Sequence, residues 1–159
     1  MTEVPLIGVA DVLGAAFEAG DAAHATRTKE RGNLEHLNDL VRAIATKHFS
    51  SLADRFTPDI TFELHAPPGI PWRRSARGPE AVASAIEANF RSVCDQRPDP
   101  LSLVAQGDTI LLMSRETGRW TGTGEPYEMV FAQQYTFRGK RLAAFRSVVS
   151  PASPPASAG

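Results

Sequence analysis

An α+β fold is what this sequence predicts, with helices in the first half and a curved antiparallel sheet packed on them in the second. Three observations lead there. Apolar residues recur at helical spacing up to about Val93. From Leu101 onward, strand-like runs are divided by short turn signals. The composition is that of an ordinary globular chain, with 159 residues, 42% hydrophobic and 22% charged. Such a chain is long enough to bury roughly 68–70% of the surface its unfolded form exposes.

The elements follow in order. Val9, Val12, Leu13, Ala16 and Phe17 form one apolar stripe, which predicts a first helix over about 9–30. Gly32-Asn33 reads as a break with Asn33 as the next N-cap. Leu34, Leu37, Val41 and Ile44 then resume the helical period. A short helix follows from Phe49 to Phe56, stopped before Pro58. Ile60–Leu64 reads as a strand fenced by prolines. Gly78-Pro79-Glu80 starts another helix, with proline at its first position and Val82, Ile86, Phe90 and Val93 as its buried stripe. Cys94 closes that helix as inert packing. Strands at 101–106, 109–120, 127–137 and 141–149 complete the sheet, with tight turns at Gly107-Asp108 and Arg138-Gly139-Lys140. The alanine-, serine- and proline-rich end has too little apolar surface to order itself. The chain thus divides into an extra helical segment 1–32, a domain 33–150 and a disordered tail 151–159.

Composition also excludes. A net charge of −1 argues against nucleic acid or an anionic membrane as partner. No apolar run approaches the roughly 20 residues of a membrane helix. The acid-interrupted N-terminus is unlike a signal peptide, so a cytoplasmic location is expected. Cys94 alone makes neither an internal disulfide nor a multi-cysteine zinc site, and the four histidines have no ligand spacing. Neither metal nor cofactor is expected.

The order of elements resembles the nuclear transport factor two-like superfamily, in its SnoaL-like branch. The likeness rests on Ala45-Thr46-Lys47-His48-Phe49 through Asp59-Ile60-Thr61-Phe62, on Arg77-Gly78-Pro79-Glu80-Ala81-Val82, and on Tyr135-Thr136-Phe137-Arg138-Gly139-Lys140-Arg141-Leu142. The resemblance implies a cone-shaped α+β barrel with a deep internal apolar cavity, commonly dimeric through its sheet. Its members include ketosteroid isomerase, scytalone dehydratase, limonene epoxide hydrolase and polyketide cyclases, alongside members with no catalysis. Counted through the motifs, the oxyanion-hole tyrosine of ketosteroid isomerase falls on Leu40 and its general base on Leu64. Its protonated acid falls on Gln133. The epoxide hydrolase's Arg-x-Asp meets Arg115-Glu116-Thr117, keeping the arginine, and its last aspartate falls on Ser147. Leucine cannot take a proton from carbon, so these relatives' mechanisms do not transfer intact.

Strand alternation selects a pocket lining. Phe62 and Leu64 face inward together, as do Met113, Arg115 and Thr117, then Phe131, Gln133 and Tyr135, then Phe145, Ser147 and Val149. Gln133 would donate its amide to a ligand oxygen, and Arg115 would anchor an anion or oxyanion. The structural alternative pairs Arg115 with Glu116 or Glu128 at a sheet rim. Tyr135 serves as proton carrier or packing. His65, with Glu63 on the same strand face, forms an acid–base pair only if a bulge turns it inward. Trp72 lids the pocket or packs into it, and Trp120, Tyr127 and Glu128 bracket the opposite loop.

The functional expectation is an enzyme acting on a hydrophobic polyketide-, terpenoid- or steroid-like molecule by cyclisation, isomerisation, dehydration or epoxide opening. Catalytic candidates are Arg115, Gln133, Tyr135 and His65. Binding candidates are Leu40, Phe62, Leu64, Trp72, Met113, Thr117, Phe131, Phe145 and Ser147. The alternative is a non-catalytic ligand-binding or dimerisation protein, and a homodimer is expected in either case.

Overall fold

The computed structural model describes residues 24–151. The first-helix stripe from Val9 to Phe17 and the tail beyond Pro151 lie outside the described residues. Helix α1 runs His24–Ala45 and passes through Gly32-Asn33 without a break. Leu34, Leu37 and Leu40 bury its inner face, and that packing outweighs the local cost of one glycine. Asn33 caps nothing; its side chain donates to the Gly107 carbonyl at 3.2 Å, tying α1 to a distant turn. The Gly107 amide bonds Glu30 at 2.9 Å in the same clasp. The helix ends in a Schellman arrangement: Lys47 adopts φ 61°, and the Lys47 and His48 amides return to the Ile44 and Ala43 carbonyls.

Two single 3-10 turns, Phe49–Ser51 and Ala53–Arg55, replace the short helix. Strand β1 (Phe56–His65) starts earlier than the prolines imply. It accommodates Pro58 at an irregularity between Phe56 and Thr61. Strand β2 is Ser75–Arg77 and helix α2 is Pro79–Arg91. The long strands are β3 (Val93–Gln106), β4 (Thr109–Trp120), β5 (Pro126–Arg138) and β6 (Arg141–Pro151). Cys94 is exposed on β3 rather than buried at a helix end.

The six strands form one unclosed curved sheet in the order β2-β1-β6-β5-β4-β3. Pairing is antiparallel except between β1 and β6, which run parallel. Register shifts in β1, β3 and at Thr136/Phe137 add local twist and bend the sheet. Its edges are the three-residue β2 and the proline-bearing β3, where Pro98 and Pro100 discourage further pairing. The core lies between the helices and the inner face of this sheet, and joins Leu37, Leu40, Ile60, Phe62, Val82, Ile86, Ile110 and Phe137.

Candidate functional site

The inner face is read from the cross-strand registers. One row crosses four strands as Leu112, Gln133, Ser147 and Leu64. The row beside it is Ile110, Tyr135, Phe145 and Phe62. On the other side lies Ser114, Phe131 and Val149. Beyond that, Glu116 faces Met129, and Gly118 faces Tyr127.

The first polar group sits in an apolar frame. The Tyr135 hydroxyl donates to Gln133 Oε1 at 3.0 Å, and its ring stacks on Phe145 at 4.8 Å. Burial holds the Tyr135 hydroxyl firmly protonated, above its usual range. Gln133 Oε1 thus accepts one bond from Tyr135, while its amide nitrogen donates to none of the described residues. Directly across on β6, Ser147 is 2% exposed and its hydroxyl has no hydrogen-bond partner among the described residues. An unpaired buried hydroxyl costs about 1–3 kcal/mol. Such a group at the centre of an apolar floor is suited to an incoming oxygen.

The second polar group centres on Glu116. Its Oε1 accepts from the Tyr127 hydroxyl at 2.6 Å and from Gln96 at 3.3 Å. Burial raises its carboxyl pKa against the pull of those two donors. Burial and the facing carboxylate likewise raise Tyr127. Gly118 makes the arrangement possible: a Cβ there would lie 2.5 Å from the Tyr127 oxygen. Trp120 flanks Tyr127 at 5.3 Å between rings, and Trp72 packs on Trp120 and Phe131 at 5.6 and 6.0 Å.

Gln133, Tyr135, Ser147, Phe62, Leu64, Phe131 and Phe145 share the inner face as the alternation predicts. Leu40 is buried in the same core on α1. Trp72 is buried too, its indole N–H donating to Ser92 at 2.9 Å. The proline loop around it is pinned, with Arg73 exchanging two bonds with Asn89 and Arg74 donating to the Ala66, Pro67 and Ile70 carbonyls.

Met113, Arg115 and Thr117 lie on the opposite, exposed face, one residue out of phase with the expectation. Ile110-Leu111-Leu112-Met113 is apolar in both phases, so alternation there is ambiguous; pairing with Tyr127, Met129 and Phe131 decides it. Arg115 instead approaches Glu128 at 3.5 Å on the outer surface, as the structural alternative holds. His65 is exposed at the end of β1, and Glu63 pairs with Arg146 at 3.0 Å, so no inward acid–base pair forms from them. Glu116 is the functional candidate that the sequence reading passed over.

Among the described residues no group of three His, Cys, Asp or Glu is placed to hold a metal, and no helix is long and apolar enough to cross a membrane. An open depression of about 370 Å³ lies apart from the inner face, lined by Lys47, Phe49, Glu80 and Arg91 among others.

A search of curated proteins finds no match. Solved structures of the same shape include an NTF2-like protein from Burkholderia xenovorans LB400, at TM-score 0.63 and 21% identity over 76% of this chain and 90% of that one. A candidate SnoaL-like polyketide cyclase from Jannaschia sp. CCS1 aligns at TM-score 0.67 and 14% identity, covering 86% of this chain and 100% of its own. A protein of ketosteroid isomerase-like fold from Catenulispora acidiphila, in complex with trimethylamine, aligns at 0.59 and 16%, covering 71% and 83%. At these identities the likeness shows the fold. The SnoaL-like domain family itself matches residues 37–145, more than half of the sequence, and the chain belongs to that family, on an NTF2-like fold.

Proposed function

We propose that this protein binds a flat hydrophobic molecule by one of its oxygens and acts on it by polarising that oxygen, in an isomerisation, cyclisation, dehydration or epoxide opening. One observation carries the reading: the buried Ser147 hydroxyl, unpartnered among the described residues, lies at the strand position paired with Gln133, whose amide nitrogen donates to none of them. Two donors on paired positions of adjacent strands would stabilise negative charge developing on a carbonyl or phenolic oxygen held between them. Tyr135 holds the amide in place and completes the proton-bearing chain behind it. The neighbour that holds trimethylamine supports a small-molecule role for this fold.

The test uses trans-stilbene bearing one para hydroxyl, a flat apolar monophenol, followed by its fluorescence. Ser147→Ala and Gln133→Leu are each expected to weaken binding about tenfold, the worth of one hydrogen bond to a polarised oxygen. Unchanged affinity in both variants, or no binding to the unaltered protein, overturns the reading.

A second, non-catalytic reading is favoured by Leu40 and Leu64, which occupy the positions the family resemblance gives to a tyrosine and a general base, and which are both core residues. A co-purified ligand recovered chemically unchanged after long incubation would support it, and conversion would exclude it. In both readings the protein self-associates through the outer face of the sheet, which no helix covers among the described residues. Leu101, Val104, Leu111, Met113 and Val148 are each about half exposed there.

A further inference from the structure

Glu116 lies on the same inner face as Gln133 and Ser147 but at the other end of it. On β4, Glu116 is four residues from Leu112, the partner of Gln133. At a rise of roughly 3.3 Å per residue this separates the two polar groups by about 13 Å along the strands. Between them the floor is Ser114, Phe131 and Val149. Glu116 is also asymmetrically held. Both of its donors, Tyr127 and Gln96, bind Oε1, and Oε2 accepts from none of the described residues. Gly118 keeps open the space that lets the Tyr127 hydroxyl cross β4 to reach it.

We infer that Glu116 is a second oxygen-binding group of this face, giving Oε2–H to an oxygen at the ligand's far end. The ligand class is then a flat apolar molecule with two oxygen functions about 13 Å apart, one for each polar group. Tyr127 and Gln96 are positioning residues, which fix the carboxyl plane through Oε1 and leave Oε2 for the ligand. Burial of the carboxyl favours the protonated form this role requires. The inference rests on the oxygen-binding reading of Gln133 and Ser147.

The experiment compares the para-monophenol of trans-stilbene with its diphenol, which carries a para hydroxyl at each end. The diphenol is expected to bind about tenfold tighter, since it gains one hydrogen bond to an ionisable group. Glu116→Leu is expected to abolish that preference, bringing the diphenol's affinity down to that of the monophenol. Should Glu116→Leu fail to fold, infrared difference spectra of the unaltered protein decide the matter. The diphenol is expected to shift a protonated-carboxyl band that the monophenol leaves in place. Equal affinity for the two phenols, or a carboxyl band that neither moves, overturns the role of Glu116 while the Gln133–Ser147 reading stands. Failure of both phenols to bind overturns that reading, and this inference with it.

Discussion

Glu116 is the residue whose environment departs furthest from what its sequence neighbourhood announces. It sits between Arg115 and Thr117, both solvent-facing, yet its own carboxyl is turned into the protein and bonded to Tyr127. Burial raises its pKa, so the folded protein holds that proton more tightly than the unfolded chain does. The sign follows from linkage. The stability from this group is fully present below the ordinary glutamate value of about 4.3 and is lost as pH rises through the raised folded value. Glu116→Gln has no such loss. Denaturant unfolding is therefore expected to show the unaltered protein losing ground to Glu116→Gln as pH rises above the ordinary glutamate value of about 4.3. Parallel pH profiles would mean the folded carboxyl titrates normally. Arg115 is the reverse case. Its guanidinium was the attractive cation in the sequence, and the structure spends it on an exposed ion pair with Glu128, an interaction typically worth under about 1 kcal/mol.

At the scale of elements, the β4–β5 pair decides which groups meet. Its register sets Gly118 against Tyr127 and Glu116 against Met129. A methyl group at 118 would stand 2.5–2.8 Å from the Tyr127 hydroxyl and ring. Gly118→Ala is thus expected to cost about 1–3 kcal/mol, the usual penalty for overpacking, and to lower the melting temperature. A variant as stable as the parent would show that the Tyr127 ring moves aside freely. The start of α2 was readable from Gly78-Pro79-Glu80 because proline at a first helical position has a local cause. The hairpin turns at Gly107 and Gly139, with φ 57° and 61°, were readable for the same kind of reason. The continuity of α1 through Gly32-Asn33 was not readable. Its cause is non-local: burial of Leu34 and Leu37, and a bond from Asn33 to Gly107 on the far side of the fold.

At the scale of the whole molecule, the helices among the described residues cover one face of the sheet and leave the other bare. On that outer face Met113 stands opposite Ala132, Ala132 opposite Val148, and Leu111 opposite Val104. These make a contiguous apolar band, with Val148 52% exposed. Sedimentation velocity is expected to show a dimer, and Met113→Lys combined with Val148→Lys is expected to give a folded monomer. Substitutions at exposed positions usually change stability by less than about 0.5 kcal/mol. A monomeric parent protein would end the proposal of self-association.

From its sequence alone this chain declares an α+β architecture, the boundaries of β4, the start of the helix at Gly78-Pro79-Glu80, two glycine turns and an inner face bearing Gln133, Tyr135 and Ser147. All of these depend on periodicity or on turn chemistry, which act within a few residues. Only the tertiary structure decided that β1 and β6 pair in parallel and that β4 turns Glu116 inward and Arg115 out. In a run apolar on both phases, a one-residue slip exchanges the two faces, and only the partner strand's side chains make one phase cheaper than the other.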